Sequence, residues 1–417
     1  MMNDSTMLID EIIIFITIGL VLIEVILFIL ISWLKKDFQW LITSNDENVI
    51  FKSSEIEKFM KNSYDEKLGW DRKANITKSE KVKGVGEHKS TYSTSNYSTN
   101  SLSERNNPGH EQLIKKIITY GDSYTFCRHV NDDETWQWFL SEHTNTNVVN
   151  LGVGNYGLDQ AYVKMNKTVL DHKDTAEVVI MTVVPETIVR IVNVWKHFYE
   201  YGNIYGFKGR YFYKEKDLVW IDNIINDVLI EKKNDWVNKI KEQDYCYENK
   251  FKKDILTFPY SLSLIKSYKR NLLLIYYLLQ KKFLSLMGLT NDKIANNAWN
   301  HAMKCNHNFT KSLYKNKEVL NLLKTIVRKF AKSARDLNLK PIFLMIPYLE
   351  DLNKSDNSSL YYVEFINEIK NNVTTIDLGE VFVKKGNVND LYVSDSIGAH
   401  LNKSGNKIVA DTIKDIL

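Results

Sequence analysis

The chain has few cysteines, little net charge and no phosphate-binding loop. Its three cysteines, Cys127, Cys246 and Cys305, lie far apart without metal-ligand spacing, so they predict no disulfide framework. Lysine and arginine number 55 against 51 acidic residues, and the formal charge of +4 gives no reason to expect nucleic acid as a partner. A G-x-x-x-x-G-K-[ST] loop, a dinucleotide fingerprint and a tandem repeat of solenoid period are also missing.

One long apolar segment lies near the N-terminus, at residues 12–34, and only a few polar or small residues interrupt it. At about 1.5 Å per residue it is long enough to cross a hydrocarbon core of roughly 30 Å. It predicts a single-pass membrane anchor over residues 1–36. A cleaved signal peptide is the alternative, but the basic start and the small-residue cleavage site are missing. Glu24 is costly in lipid, which favours protonation or a partner helix and hence a homo-oligomer.

The charges that flank the segment predict its orientation. Asp10 and Glu11 precede the apolar run, whereas Lys35 and Lys36 follow it. The positive-inside rule then places the bulk of the chain in the cytoplasm. An extracytoplasmic position stays open, because two lysines are a small excess.

A polar region follows the anchor over residues 37–110. Residues 68–70 are a small apolar exception, and residues 90–107 are rich in Ser, Thr, Asn and Tyr, a composition typical of irregular or edge-strand structure. We interpret the region as a stalk and a loop-rich lead-in that drapes over the following domain. Plain disorder is the alternative.

Strand and helix patterns alternate through residues 111–417, the predicted α/β domain. Short strands that are apolar on both faces predict a parallel sheet covered by helices on both sides. The predicted strands are 117–120, 147–151, 178–184, 341–346 and 373–377. The predicted helices are 134–142, 158–170, 186–197, 319–338, 361–371 and a last helix that Asn402 or Ser404 caps and that reaches residue 416.

A helical insertion at about residues 223–312 interrupts this alternation. A hairpin is predicted just before it, at 208–221. Residues 262–287 are the most apolar part of the insertion, but their lysines and arginine argue against a second membrane span. These lysines fit a membrane surface and an ordinary solvated helix face equally well.

The residues Gly121-Asp122-Ser123-Tyr124 follow the first strand of the domain. A β-branched run that enters Gly, Asp and Ser and then a helical stretch predicts a strand, a tight turn and a helix. Such a turn exposes the hydroxyl of Ser123 at the carboxyl end of a strand and directs its N–H toward a developing oxyanion. An ordinary loop or helix N-cap is the alternative.

A base for this serine is available near the C-terminus. His400 lies on the loop before the last helix, and in a doubly wound sheet that loop opens at the edge that holds Ser123. His400 is therefore the candidate general base, and Asp395 is the candidate that orients its ring. A surface histidine and a turn aspartate are the alternative roles.

The block Asn150-Leu151-Gly152-Val153-Gly154-Asn155-Tyr156-Gly157 follows the second strand. Glycines at alternate positions allow close backbone approach and positive φ, and Asn tolerates positive φ better than other non-glycine residues. Gly154 and Asn155 are the candidates for a second oxyanion donor beside Ser123. A tight strand-to-helix turn without a ligand is the alternative.

These three blocks, in this order over roughly residues 116–417, resemble the SGNH (GDSL) hydrolase superfamily. The resemblance implies a three-layer, flavodoxin-like α/β/α fold that acts on esters without a metal or organic cofactor. It also implies that Ser123 is the nucleophile, His400 the base, Asp395 its partner and Asn155 the oxyanion donor of the second block.

The sequence departs from this family pattern at three places. Asn155 stands where the family has glycine, and the spacing from Asp395 to His400 is five instead of the usual three. The third block, normally Gly-x-Asn-Asp, reads Val183-Val184-Pro185-Glu186 and lacks its oxyanion asparagine. Arg190 and Asn193 are substitutes, which makes Glu186, Arg190 and Asn193 candidate substrate-binding residues. An i, i+4 ion pair between Arg190 and Glu186 is the structural alternative.

The expected function is a membrane-anchored serine esterase that removes an acyl group, with acetyl on a glycan favoured by analogy. The expected partners are that acylated substrate and, through one helix, the lipid bilayer. An O-acyltransferase that acts on cell-envelope polysaccharide and a non-catalytic binding or scaffold protein of the same fold are the alternatives, because fold does not settle substrate.

Overall fold

In a computed structural model of the chain, the described residues are 2–36, 49, 51–83, 92–214, 217–230, 235–289, 291–352, 360–394 and 398–417. The strands, in chain order, are β1 (Tyr64–Asp65), β2 (Gly69–Trp70), β3 (Thr77–Lys83), β4 (Tyr92–Ser98), β5 (Ile117–Gly121), β6 (Val148–Asn150), β7 (Val178–Val183), β8 (Arg210–Lys214), β9 (Asp217–Ile221), β10 (Lys340–Met345) and β11 (Thr374–Asp377).

The α-helices are α1 (Met2–Leu34), α2 (Ser53–Asn62), α3 (Ser123–Phe126), α4 (Trp136–Thr144), α5 (Leu158–Thr168), α6 (Thr187–Arg190), α7 (Ile225–Leu229), α8 (Trp236–Gln243), α9 (Lys252–Asp254), α10 (Tyr260–Lys266), α11 (Tyr268–Leu286), α12 (Asp292–Leu313), α13 (Lys317–Asp336), α14 (Leu349–Leu352), α15 (Val363–Ile369), α16 (Leu378–Lys385) and α17 (Lys403–Lys414). A π-helical turn spans Tyr247–Phe251.

Five of these strands form a parallel sheet in the order β11-β10-β7-β5-β6. Counted along the chain within this sheet, the order is 2-1-3-4-5 read from β6, which is the flavodoxin-like arrangement. All residues of β5 and β7 are buried, as expected for central strands covered on both faces. The predicted α/β fold with five parallel strands is therefore confirmed.

Helices cover both faces of this sheet. Helices α4 and α17 pack on one face, in a cluster that includes Ile180, Leu344 and Val409. Helices α5 and α13 pack on the other face. Alternate residues of each strand thus enter one of two apolar layers, which gives the three-layer architecture and fixes the carboxyl edge of the sheet.

The predicted helix 186–197 is wrong. Helix α6 is a single turn that ends at Arg190, and a 3₁₀ turn follows at Lys196–Phe198. The segment between them is rich in Val and Ile, and its residues are all buried. β-Branched side chains lower helix propensity, and a segment that is buried on all sides lacks the polar face of an amphipathic helix.

Residues 51–110 contain more regular structure than the composition suggests. Helix α2 is followed by the short antiparallel pair β1 and β2 and then by the antiparallel pair β3 and β4, in which Thr77 is opposite Ser98. Arg105, beyond this hairpin, is buried. The predicted hairpin before the insertion is also present, as β8 and β9.

The chain divides into two compact units. One unit contains residues 51–195, 205–236 and 307–417 and holds the five-stranded sheet. The other contains residues 1–50, 196–204 and 237–306 and is helical in its described part. Within the described residues, one helix is long and apolar enough to cross a membrane, over Ile9–Leu34 of α1.

Candidate active site

The turn after β5 presents Ser123 as the first residue of α3. The Asp122 carboxylate holds this turn, because it accepts hydrogen bonds from the N–H of Tyr124 at 2.9 Å and of Val184 at 3.1 Å. Gly121 has a φ of +152°, and a Cβ there would lie 2.0 Å from the carbonyl oxygen of Thr182. Glycine is therefore required where the strand enters the turn.

Ser123 and His400 meet at the carboxyl edge of the sheet. His400 Nε2 lies 2.7 Å from Ser123 Oγ, although 277 residues separate the two along the chain. The Tyr124 ring lies against the imidazole, with the ring centroids 4.7 Å apart, and its hydroxyl donates to the carbonyl oxygen of Ala399. The imidazole is thus held in hydrogen-bonding geometry with the serine, as a general base requires.

The surroundings of His400 favour its neutral form. Burial comes first, and interactions with His129, Arg128 and Arg190 add to it, so the pKa of His400 lies well below its usual value. The Nδ1 atom is buried and has no hydrogen-bond partner among the described residues. The predicted partner Asp395 lies outside the described residues, so its role stays a prediction.

His129 is a neighbour that the sequence motifs did not indicate. Its ring stands edge-on to the His400 ring, with the centroids 5.0 Å apart, and its backbone is left-handed with a φ of +75°. Burial and the adjacent Arg128 lower the pKa of His129 to about 4, against the opposing charge of Glu80. His129 therefore adds a neutral polar ring to the site at ordinary pH.

The glycine block after β6 lies beside the turn that holds Ser123. A Cβ at Gly152 would lie 2.3 Å from the backbone nitrogen of Phe126, so this block and α3 are in close contact. Asn155 is left-handed with a φ of +67°, as its residue type allows. None of the described residues accepts a hydrogen bond from the N–H of Ser123, Gly154 or Asn155. The roles of these three N–H groups as oxyanion donors stay predictions.

Glu186 of the third block and the nearby Arg190 and Asn193 make structural contacts. Arg190 pairs with Glu186 and also donates to the carbonyl oxygen of Tyr156 at 3.0 Å. The Arg190 Nη1 atom lies 3.4 Å from the Asp122 carboxylate, which links the pair to the turn that holds Ser123. Asn193 donates to the carbonyl oxygen of Trp195 at 2.8 Å. These contacts do not include Ser123 or His400, so the substrate-binding roles of Glu186, Arg190 and Asn193 stay predictions.

Two residues of the polar lead-in support the site and escaped the sequence analysis. The Arg105 guanidinium donates to the carbonyl oxygens of Phe126, Cys127 and Val130, and it pairs with Asp132. The Arg72 guanidinium stacks on the Phe126 ring, 3.3 Å from its centroid. The sequence gives little indication of these two arginines, because Arg105 binds backbone carbonyl groups and Arg72 stacks on an aromatic ring, both more than twenty residues away along the chain.

Trp70, which also belongs to the polar lead-in, contacts the second block. Its indole N–H donates to the carbonyl oxygen of Gly154 at 3.0 Å, and its own carbonyl oxygen accepts from the Tyr156 hydroxyl at 2.6 Å. The apolar exception at residues 68–70 was the available signal for this contact. Among the described residues, no group of three or more His, Cys, Asp or Glu side chains is arranged to hold a metal ion.

No protein-family model matches the chain, and no curated protein matches it. Among solved structures, the chain is similar to a protein from Desulfitobacterium hafniense DCB-2 that is described as lipolytic and of the G-D-S-L family. The two are 12% identical, and the match covers 73% of this chain and 99% of that one with a TM-score of 0.34. A score this low adds no argument, so the α/β fold class rests on the order and direction of the five strands.

Proposed function

We propose that the chain is a serine esterase of the SGNH type that cleaves an acyl ester through an acyl-serine. The observation that carries this proposal is the 2.7 Å hydrogen bond between Ser123 Oγ and His400 Nε2. Burial favours the neutral form of the His400 imidazole, which is the form that can take the proton of the serine.

In the first step, Ser123 Oγ forms a bond to the acyl carbonyl carbon, and its proton passes to His400 Nε2. The carbonyl oxygen becomes an oxyanion, for which the N–H of Ser123 and of Gly154 or Asn155 are the candidate donors. The alcohol then leaves and takes the proton from His400. Asp395 is the proposed partner of Nδ1, where it stabilises the imidazolium.

Water completes the cycle of a hydrolase. His400 takes a proton from water, the hydroxide attacks the acyl-serine, and the acid is released as Ser123 Oγ regains its proton. If a sugar hydroxyl replaces water, the same steps transfer the acyl group, which is the O-acyltransferase alternative. We favour acetyl on a glycan as the substrate, by analogy with membrane-tethered proteins of this fold.

We further propose that α1 anchors the enzyme in a membrane as a single-pass helix. The span Ile9–Leu34 has 26 residues, which suffices for a hydrocarbon core of about 30 Å. The flanking charges favour a cytoplasmic catalytic domain. Self-association of α1 stays part of this proposal.

A fluorophosphonate probe, which forms a covalent bond to activated serines, tests the esterase. The full-length chain should be labelled, and Ser123→Ala should abolish the labelling. His400→Gln should slow it strongly, because the hydroxyl loses its base. Ser101→Ala is the matched control, since Ser101 is an exposed serine of the lead-in.

A folded chain that stays unlabelled would contradict the esterase and favour the non-catalytic binding or scaffold protein. Incubation with an acetyl ester, with and without a glycan acceptor, then separates the two enzyme alternatives. Release of acetate regardless of acceptor indicates a hydrolase, whereas an acetylated glycan indicates a transferase.

A further inference from the structure

Helices α10 and α11 carry large apolar side chains that face away from the core of their unit. Leu274, Ile275 and Leu278 of α11 are buried in an apolar cluster. Other apolar residues of the two helices are each at least half exposed: Leu262, Ile265, Leu272, Tyr276, Phe283 and Leu286. A continuous apolar surface of this kind usually marks a contact with protein or membrane.

The same helices pack against the second half of α1. Ile31 and Leu34 of α1 are buried in the cluster with the inner face of α11. Lys282 lies over the Trp33 ring, 4.3 Å from its centroid. Helices α10 and α11 therefore pack beside a helix whose own apolar side chains are exposed over most of residues 9–34.

Glu24 fixes the level at which α10 meets α1. Its carboxylate accepts hydrogen bonds from the N–H of Tyr260 at 2.6 Å and of Ser261 at 2.9 Å, which are the first residues of α10. Glu24 precedes Leu34 by ten residues, or about 15 Å along the helix. If α1 spans a bilayer, Glu24 and the start of α10 both lie within the hydrocarbon.

We propose that α10 and α11 enter the bilayer beside the second half of α1, and that lipid acyl chains cover their exposed face. The proposal rests on the proposed membrane anchor. The Glu24 carboxylate accepts hydrogen bonds from the first N–H groups of α10, at a depth in the bilayer where no water is present to accept them. The exposed Lys266 and Lys269 reach the headgroups through their long side chains while their stems stay among the acyl chains.

Collision accessibility of a nitroxide label tests the proposal in the full-length chain, held in nanodiscs of phosphatidylcholine and phosphatidylglycerol. Cys305→Ser removes the partly exposed cysteine, and the remaining two are buried. Labels are placed one at a time at Ile265→Cys and Leu272→Cys. Val383→Cys on α16 is the matched water-exposed control, since Val383 is 55% exposed.

Oxygen concentrates in lipid and a nickel chelate in water. We expect the ratio of oxygen to nickel collisions to be several-fold higher at positions 265 and 272 than at 383. Equal ratios at the three positions would overturn the proposal. Shielding from both reagents together with spin–spin broadening would also overturn it, because a second copy would then cover the face.

A label at Leu20→Cys separates this proposal from the anchor itself. Leu20 is exposed near the middle of α1. A lipid-like ratio at position 20 with water-like ratios at 265 and 272 overturns the insertion of α10 and α11 alone. A water-like ratio at position 20 overturns the anchor as well, and fluorophosphonate labelling reports independently on the esterase.

Discussion

Asp122 in the sheet unit and Glu24 in the helical unit make the same kind of contact with the backbone. Each carboxylate accepts hydrogen bonds from two main-chain N–H groups at or near the start of a helix. Asp122 acts on Tyr124, two residues away, and on Val184, which follows β7 and lies 62 residues away along the chain. Glu24 acts across 236 residues of chain. The contact of Asp122 with Tyr124 can be predicted from a short motif, whereas its contact with Val184 and both contacts of Glu24 depend on the tertiary fold.

The two carboxylates differ in their electrostatic surroundings. Burial raises the pKa of Asp122, and the nearby Arg190 and the N–H groups of Tyr124 and Val184 oppose this effect. Glu24 is held by N–H groups of α10 without such a cation among its described contacts. Loss of Asp122 should therefore disturb more partners than loss of Glu24.

The largest expected effect is that of Asp122→Ala. Two buried N–H groups lose their acceptor, at about 1–3 kcal/mol each, and Arg190 loses a counter-charge. We expect unfolding at a lower urea concentration. We also expect roughly 10²-fold slower fluorophosphonate labelling, because a small displacement of the Ser123 hydroxyl lowers its reaction rate strongly. Asp122→Asn keeps one acceptor oxygen and should be intermediate, and the exposed Asp133→Ala is the control. An unchanged midpoint in Asp122→Ala would contradict the role of this carboxylate.

Glu24→Ala should have a smaller and more local effect. Each of two N–H groups loses an acceptor worth about 1–3 kcal/mol, so hydrogen exchange of a peptide containing Tyr260 and Ser261 should become markedly faster. Glu24→Gln should again be intermediate. Labelling of Ser123 should keep its rate, since the described hydrogen bonds of Glu24 are made with the start of α10 and not with a site residue. Exchange that is as slow as in the parent chain would show that α10 does not depend on this carboxylate.

Substitutions at Gly152 and Gly154 test whether Asp122 alone positions the turn that holds Ser123. Gly152→Ala places a Cβ 2.3 Å from the backbone nitrogen of Phe126, whereas the nearest atom to a Cβ at Gly154 is Arg72 Nη2 at 4.0 Å. Overpacking costs about 1–3 kcal/mol, so Gly152→Ala should slow labelling more than Gly154→Ala does. The reverse order would mean that the two loops do not touch as described.

The smallest expected effect is a shift in the pH dependence of labelling, caused by the arginines near His400. No such cation is among the described contacts of Glu24. Protonated His400 cannot accept the serine proton, so the labelling rate should fall only as pH drops through its lowered pKa, well below 6.5. Arg128→Gln removes a nearby positive charge, raises the pKa of His400 and should move this fall to higher pH by a fraction of a unit. A fall centred at or above pH 6.5 in the parent chain would contradict the low pKa.

The sheet was predictable because its central strands are apolar on both faces, which leaves a strong local signal. The sequence blocks around Ser123 and His400 indicated these two residues, since a tight turn and a C-terminal loop open at the same sheet edge. The contribution of Arg105 was not predictable, because it depends on carbonyl groups that the side-chain pattern does not reveal. The same limit applies to His129, whose position follows from a left-handed backbone. The broken helix at 186–197 shows that burial on all sides overrides an apparent helical pattern.

The buried guanidinium of Arg105 limits how far the N-terminal region can be trimmed. A fragment that begins at Ile117 would keep every strand of the sheet, yet the carbonyl groups of Phe126, Cys127 and Val130 would lose their shared donor. The segment after Ser123 would then have to reorganise or recruit water. The shortest fragment that keeps the Ser123 turn intact should therefore start upstream of Arg105, within a stretch whose composition alone would mark it as dispensable.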